Sequence, residues 1–251
     1  MKKILILCVA LIVSFTAIAG SIAYFTDTVS TDNNVIVAGN IDVEQHEQRR
    51  VYAEDGSYTL DTFEQNQNLY PCVTANMDKV DVVVGEYTVQ MYDRYVTNFM
   101  DKIVTVQNAG TSPSYIRTFV AVPAAVNGYD WIHLDYSENG WSWAQPDALR
   151  SVEINGLSYD VYVATYADML PAGATTSPSL LGVYMDGRVS NDGDKLVYVA
   201  PNGEKHDVGE YPSISILVTT EAAQTTTFAD AYDALTQTFA DVEGGHHPWK
   251  K

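Results

Sequence analysis

Residues 115–136, YIRTFVAVPAAVNGYDWIHLDY, contain the strongest secondary-structure signal in this chain. Tyr115 to Val122 and Trp131 to Tyr136 are short runs rich in valine, isoleucine and aromatic residues, which favour β-strands. Asn127-Gly128 lies between the two runs, and this dipeptide accepts the positive φ angles of a tight turn. The stretch therefore predicts two strands joined by a short connection.

The same pattern continues on both sides of this stretch. Further runs of strand-forming residues lie at 102–107, 151–154, 159–166, 180–185, 196–199 and 213–219. Asp-Gly or Asn-Gly pairs begin at positions 55, 127, 139, 155, 186, 192 and 202. Two facing sheets would bury many short, half-apolar strands of this kind. We expect an all-β fold, a jelly roll or another β-sandwich, occupying residues 45–243.

One segment near the C-terminus has a helical period instead. Apolar residues recur at spacings of 4, 3, 4 and 3, namely Phe228, Tyr232, Leu235, Phe239 and Val242. They form one stripe of an amphipathic helix over about 227–242, with Gly244-Gly245 ending it. The stripe predicts a helix packed on the sandwich, and a helix that binds a partner is the alternative.

Three other segments are predicted from their composition. Residues 42–68 are polar and weakly patterned, which indicates a loop excursion on the surface. Residues 89–100 are compatible with a second helix. Residues 244–251 are rich in glycine and histidine, which is typical of a flexible tail.

Composition excludes several classes of protein. The 251 residues include 14 basic and 32 acidic side chains, a net charge of -18, and 46% of residues are hydrophobic. The apolar fraction is sufficient for a packed core, so the chain is not a disordered acidic polymer. A phosphate backbone repels such a surface, so we expect no nucleic-acid partner.

The N-terminus has the pattern of a secretory signal peptide. Lys2-Lys3 precedes an apolar run over residues 4–19, and small residues allow cleavage before Gly20 or before Tyr24. An uncleaved anchor is the alternative, although the run is shorter than most membrane-spanning helices. Cys8 lies in this segment, so Cys72 is expected to be the one thiol of the secreted protein and a buried apolar side chain.

No residue pattern indicates an enzyme or a metal site. His46-Glu47-Gln48-Arg49-Arg50 begins like a zinc-protease helix, but Arg50 stands where the second histidine ligand is required. In residues 186–194, Arg188 replaces an oxygen ligand of a calcium loop. We assign no catalytic residue, metal or cofactor.

Aromatic residues surround the Asn139-Gly140 turn. Tyr129 and Tyr136 accompany three tryptophans, Trp131, Trp141 and Trp143. Aromatic rings on a β surface can stack on sugars, which makes a carbohydrate-binding surface one hypothesis. Packing between strands is the other, because cross-strand aromatic pairs stabilise a sheet by about 0.2–1 kcal/mol each.

Residues 23–44, AYFTDTVSTDNNVIVAGNIDVE, resemble the N-terminus of the TasA and camelysin group of Gram-positive secreted proteins. Further stretches are similar to its biofilm-matrix branch of the BsaA type: residues 101–110 with 114–117, residues 179–185, and residues 216–224. The resemblance implies cleavage between Ala23 and Tyr24 by a SipW-type signal peptidase. Residues 1–23 would then be the signal peptide, the only part of the chain to enter a membrane.

The resemblance also implies a jelly-roll subunit of an extracellular matrix fibre, with copies of itself as partners. Members of the group are described as polymerising by donor-strand exchange, in which the N-terminal segment of one subunit completes the sheet of the next. The expected donor is residues 24–44, which contain no proline; its apolar side chains are those of Tyr24, Phe25, Val29, Val35, Val37, Ile41 and Val43.

Other interpretations of the chain stay open. The donor segment is alternatively the first strand of its own domain. A surface metallopeptidase, as camelysin has been described, is a rival function, and a carbohydrate-binding module is another. A matrix polysaccharide is a further candidate partner.

Overall fold

The computed structural model describes residues 40–64, 67, 69–73, 78–93, 99–193, 195–208, 215–226 and 228–250. The expected signal peptide, its cleavage site at Ala23–Tyr24 and the donor residues before position 40 lie outside this part of the chain. Within it, strands dominate and one α-helix lies near the C-terminus.

The strands, in chain order, are β1 (Val43–Tyr52), β2 (Tyr58–Thr62), β3 (Pro71–Cys72), β4 (Lys79–Val84), β5 (Tyr87–Tyr92), β6 (Met100–Asp101), β7 (Ile103–Asn108), β8 (Ser114–Pro123), β9 (Ile132–Tyr136), β10 (Trp141–Ala144), β11 (Val152–Ile154), β12 (Leu157–Tyr166), β13 (Leu180–Asp186), β14 (Val189–Asp192), β15 (Lys195–Val199), β16 (Lys205–Asp207) and β17 (Leu217–Gln224). A 3-10 turn covers Asp147–Leu149, and helix α1 covers Ala231–Thr238.

Two large sheets face each other, which confirms the predicted β-sandwich. Sheet I has the strand order β10-β12-β8-β17, with β11 also paired to β12. Sheet II combines the set β2-β1-β7 with strand β13 and its neighbours β3, β6 and β9. Backbone bonds join these two sets, because Lys102 N donates to Leu181 O at 3.0 Å and Ser179 N donates to Val104 O at 2.9 Å. Sheet II is therefore continuous from β2 to β9.

The hydrophobic core follows the alternation of β8, which is buried on both faces. Ile116, Val120 and Val122 point toward sheet II and pack with residues of β7 and β13. Phe119 and Ala121 point the opposite way and pack beneath the C-terminal segment. A strand covered on both sides reads as a nearly continuous apolar run, which is why residues 115–122 give so strong a signal.

The predicted turns mostly form where Asn-Gly pairs stand. Asn155 and Gly156 have φ angles of 53° and 81° and close the β11–β12 hairpin. Asn127 and Gly128 adopt similar angles, but the strands on either side belong to different sheets. The chain therefore crosses the sandwich there instead of forming a hairpin.

The C-terminal helix is shorter than its sequence period predicts. Helix α1 spans eight residues, and its N-cap Asp230 accepts a hydrogen bond from Asp233 N at 2.9 Å. Its buried side chains are Ala231, Ala234 and Leu235, while Tyr232 of the predicted stripe is 52% exposed. Phe228 and Phe239 pack beside the helix on the same cluster. The stripe thus contacts sheet I, with only its centre in a helix.

The final residues pack on sheet I, so the expectation of a flexible tail at 244–251 is wrong for residues 244–250. Trp249 lies edge-on to Phe119, with ring centroids 6.4 Å apart, and His247 is buried. Burial lowers the pKa of His247, and the nearby charge of Lys250 lowers it further. These residues cover the outer face of sheet I.

Residues 43–62 form a hairpin, which corrects the predicted polar loop excursion. Strand β1 pairs with β2 on one side and β7 on the other. Its side chains are mostly polar and partly buried, because the β1–β2 hairpin lies at the border of sheet II. The possible second helix at 89–100 is wrong at both ends, because residues 89–92 belong to β5 and Met100 begins β6, while residues 94–98 lie outside the described residues. The β4–β5 hairpin covers the outer face of sheet II.

Candidate functional site

A row of charged residues crosses the outer face of sheet II. Asp101 of β6 and Asp135 of β9 both pair with Gly182 of β13, one on each side. Arg50 of β1 contacts Asp101 at the end of the row. We call Arg50, Asp101, Gly182 and Asp135 the charged row. Direct cross-strand neighbours share one face of a sheet, so the two carboxylates flank a position without a side chain.

Arg50 and Asp101 form a bidentate ion pair in this row. Arg50 Nε lies 2.7 Å from Asp101 Oδ2, and Nη2 lies 2.7 Å from Oδ1. Arg50 Nη2 also donates to Tyr92 O at 2.8 Å, and the Arg50 backbone N donates to Asp101 Oδ2 at 3.0 Å. The buried guanidinium of Arg50 thus donates two parallel hydrogen bonds to the two oxygens of one carboxylate.

This pair explains the interrupted zinc motif at residues 46–50. The five residues lie on strand β1 instead of a helix, and Arg50 is a structural ion-pair partner. His46 Nε2 lies 3.4 Å from Gln107 Oε1. No group of three or more His, Cys, Asp or Glu side chains is arranged to hold a metal within the part of the chain that the structure describes.

The open end of the β4–β5 hairpin lies over the other end of the charged row. Lys79 Nζ donates to Asp135 Oδ1 at 2.7 Å and lies 4.7 Å from the centre of the Tyr92 ring. Burial raises the pKa of Asp135, although Lys79 opposes the shift, and the negative charge of Asp101 adds to it. Asp135 Oδ2 is buried and has no hydrogen-bond partner among the described residues.

Aromatic rings cover the middle of the row. A Cβ atom on Gly182 would lie 2.3 Å from Phe99 Cζ, so only glycine fits under that ring. Phe99 packs edge-on against Tyr92 with ring centroids 5.2 Å apart, and it contacts Tyr184 at 6.2 Å. The two carboxylates are therefore shielded from water by aromatic side chains.

A second charged cluster lies beside the row at the end of β13. Asp186 accepts hydrogen bonds from the Arg188 side chain at 3.0 and 2.9 Å and lies 3.0 Å from His133 Nε2. Burial alone would raise the pKa of Asp186, but the bonds from Arg188 and His133 outweigh it and lower the pKa to about 2. Arg188 thus forms an ion pair with Asp186 at the position where a calcium loop has an oxygen ligand.

The tryptophans of the candidate carbohydrate surface lie largely in the core, as the packing hypothesis predicts and the carbohydrate hypothesis does not. Trp131 is fully buried and donates its Nε1 hydrogen to Ala124 O, and Trp141 is 4% exposed and donates to Ser177 O. Trp143 is partly buried and donates to Ser137 O. Of these aromatic residues only Tyr136 is exposed, at 42%, and its ring lies tilted against that of Trp143 with centroids 4.8 Å apart. The Asn139-Gly140 turn joins the two sheets and is not a hairpin.

Two of the expected donor residues belong to the chain's own sandwich. Val43 is buried in β1 opposite Asn108, and Ile41 packs on the same core cluster. Thr111 N donates to Asn40 O at 2.9 Å, and a Cβ atom on Gly110 would lie 2.3 Å from that oxygen. Residues 40–44 are thus fixed to the β7–β8 turn. Tyr24, Phe25, Val29, Val35 and Val37 lie outside the described residues.

The borders of the two sheets meet beside this entry point. Gln45 of β1 bridges them, since its Nε2 donates to Val218 O at 3.5 Å and its Oε1 accepts from Thr220 Oγ1 at 2.8 Å. We call the outer edges of residues 43–47 and of β17 the N-terminal seam. In sheet I, β17 pairs with β8 on one side only, and no described strand pairs with its other edge. Side chains, not a backbone ladder, link the sheets there.

A third charged cluster lies under the C-terminal segment. Arg117 Nη2 is 2.6 Å from Glu221 Oε2, and His246 Nε2 is 2.7 Å from Glu221 Oε1. Sequence patterns did not single out Arg117, Glu221, Asp101 or Asp135. The one available signal was Arg117 itself, because a charged residue in an apolar strand run needs a buried partner.

Comparisons with known proteins do not place the chain in a family: protein-family models, curated proteins and solved structures give no match. Among the described residues, no helix is long and apolar enough to cross a membrane. Cys72 is buried and unpaired as expected, and burial raises the pKa of its thiol.

Proposed function

We propose that this chain is a secreted structural subunit of an extracellular matrix fibre of a Gram-positive bacterium, joined head-to-tail by donor-strand exchange. The observation that carries the proposal is the N-terminal seam, where the outer edge of β17 pairs with no described strand. The resemblance of residues 23–44 to the TasA and camelysin group supports it. A SipW-type signal peptidase would release Tyr24 as the new N-terminus. The proposal assigns the chain no catalytic role.

The donor in this proposal is shorter than the sequence suggested. Residues 40–44 are fixed in their own sandwich, which leaves residues 24–39 to reach a neighbouring subunit. The strand that follows this segment in the chain is β1, and residues 43–47 of β1 form one edge of the N-terminal seam. The donor would therefore leave the domain beside the seam. The acceptor in the next subunit is the outer edge of β17.

Two contributions would hold the junction together. Each backbone hydrogen bond to β17 contributes only about 1 kcal/mol net. Burial of a large apolar side chain such as Tyr24, Phe25 or Val35 contributes about 1.5–3 kcal/mol, so the side chains supply most of the affinity. The donor and the acceptor edge are different surfaces, and a head-to-tail contact of this kind propagates into a filament when it does not close into a ring.

Electron microscopy of the purified mature chain, residues 24–251, tests the proposal. We expect filaments from this chain and monomers from a chain that begins at Asn40. The deletion leaves β1 and its contacts intact, so a circular dichroism spectrum of the shortened chain should keep its β signal. Filaments that persist after the deletion would refute donor-strand exchange.

A peptide supplies the matched control. A synthetic peptide of residues 24–39 should occupy the acceptor edge of the shortened chain and stop the mature chain from elongating. A scrambled peptide of the same composition should do neither. Equal inhibition by both peptides would show that the acceptor does not recognise the donor sequence.

A further inference from the structure

Lys79 and Asp135 bring together the two groups, an amine and a carboxyl group, that form an amide bond when they lose water. Lys79 Nζ lies 2.7 Å from Asp135 Oδ1, on elements 56 positions apart in the chain. An amine and a carboxyl group held at this distance need only lose water to become covalently joined. We propose that Lys79 and Asp135 condense to an intramolecular isopeptide bond that joins the β4–β5 hairpin to sheet II.

Burial of the acid separates this pair from the other lysine–carboxylate contacts of the described residues. Asp135 is 6% exposed, whereas Asp207 and Asp192, the partners of Lys195 and Lys205, are about half exposed. Water stabilises the ionised forms of those exposed pairs and keeps the amine and the acid charged. The Lys102–Glu47 pair has a buried amine but a more exposed acid.

Burial favours the neutral form of Asp135 that condensation requires, and it outweighs the opposing charges of Lys79 and Arg50. Arg50 is already matched by Asp101, and Asp101 places a second carboxylate across Gly182 from Asp135. Asp135 Oδ2 is buried without a hydrogen-bond partner among the described residues, so none of them donates a hydrogen bond to a negative charge on that oxygen. Both features favour transfer of a proton from the Lys79 ammonium to Asp135.

The reaction balances within the pair. Proton transfer converts the ammonium and carboxylate into a neutral amine and a carboxylic acid. The nitrogen lone pair of Lys79 then attacks Cγ of Asp135, forming the C–N bond. The C–O bond to the hydroxyl group breaks, and that group leaves as water with a proton from the nitrogen. No oxidant, reductant or cofactor takes part.

The surroundings protect the product and give it a mechanical role. The Tyr92 ring lies beside Lys79 Nζ, and Phe99 covers the row. A covalent bond here would close a long loop of chain between β4 and β9, which restricts unfolding of the hairpin. The inference does not depend on polymerisation and applies to the single subunit.

Mass spectrometry of the folded and then denatured mature chain tests the bond. We expect a mass lower than the sequence mass by one water molecule, and a protease digest containing one peptide pair linked through Lys79 and Asp135. Lys79→Arg keeps the positive charge but should have its full sequence mass. A wild-type protein of full sequence mass would overturn the proposal.

Two further variants locate the bond. Asp135→Asn offers an amide carbon to the same amine and should lose ammonia, giving a product of the same mass as the cross-linked wild type. Lys102→Arg should still lose one water. If Lys102→Arg instead has its full mass, the bond joins Lys102 to Glu47 and the assignment to Lys79 is wrong.

Discussion

Arg117 Nη2 and Glu221 Oε2 lie 2.6 Å apart on adjacent strands of sheet I, and their side chains are only 2% and 3% exposed. The two residues are direct cross-strand partners of β8 and β17. Arg117 also lies 5.1 Å from the Phe119 ring, and its Nη2 is 3.4 Å from Ala240 O. The pair therefore connects the sheet to the segment that follows helix α1.

Removal of one charge from this pair should destabilise the fold. Glu221→Gln leaves the Arg117 guanidinium buried without a counter-charge, which costs about 3–5 kcal/mol. Urea unfolding followed by circular dichroism measures the change. Asp192→Asn, in the half-exposed Lys205–Asp192 pair, is the matched control and should cost less than about 1 kcal/mol. Equal effects of both substitutions would contradict the structural role of the buried pair.

Truncation of the C-terminus should have a similar effect. Deleting residues 246–251 removes the contact of His246 with Glu221 and uncovers the Phe119 ring that Trp249 packs on. Loss of the Trp249 ring alone should cost about 1.5–3 kcal/mol in the free energy of unfolding, because this ring is only partly buried. Trp249→Phe keeps an aromatic ring at the site and should lower the free energy of unfolding by less than the truncation does. An unchanged unfolding midpoint after the truncation would mean that these residues are a free tail.

Strands buried on both faces were predictable because their own side chains carry the signal. The predicted run at 115–122 lies within β8 (Ser114–Pro123), and that at 159–166 within β12 (Leu157–Tyr166). The sequence of strand β1, VEQHEQRRVY, is polar and does not predict a strand. Pairing with β2 and β7 and the ion pair of Arg50 hold β1 in sheet II, not an apolar face.

The charged row and the Arg117–Glu221 pair were not predictable because their contacts are remote in sequence. Arg50 and Asp101 are 51 positions apart, and Arg117 and Glu221 are 104 apart. Residue patterns report neighbours within one strand or helix, whereas these pairs depend on which strands lie side by side. The tryptophans illustrate the same limit, since clustering in sequence does not distinguish Trp141 in the core from Tyr136 at the surface.

Asp186 should make stability depend on pH in the acid range. The pKa of Asp186 is about 2 in the folded protein, below the ordinary value of 3.8. The ionised carboxylate therefore adds to the free energy of unfolding above pH 3.8, and this contribution is lost as pH falls toward 2. The contribution is about 2 kcal/mol, and Asp186→Asn should remove it at pH 6. Urea unfolding between pH 6 and 2 should show the wild type and the variant converging. Asp147→Asn, at a fully exposed position, should track the wild type throughout.

Substitution of Trp141 should affect stability and not sugar binding. The indole is buried between the sheets, so Trp141→Ala should cost about 3–5 kcal/mol. Tyr136→Ala removes an exposed ring and should change the free energy of unfolding by less than about 1 kcal/mol. Urea titrations of the two variants give the comparison, and a glycan array read with the folded Tyr136→Ala protein tests the carbohydrate hypothesis separately. A stable Trp141→Ala variant that loses glycan binding would contradict the assignment of this residue to the core.

Assembly of the proposed fibre should strengthen with salt and with mild acid. Removal of residues 1–23 takes away Lys2 and Lys3 and no acidic residue, which leaves 12 basic and 32 acidic side chains and a net charge of -20. Subunits of one sign repel as they stack, and the Debye length falls from about 30 Å at 0.01 M salt to about 8 Å at 0.15 M. Sedimentation of fibres from the mature chain should therefore recover more protein at 0.15 M than at 0.01 M salt, and more at pH 5 than at pH 7. A yield that is constant across both series would place the excess charge away from the junction between subunits. Screening or protonation strengthens the junction only when the repelling charges lie near it.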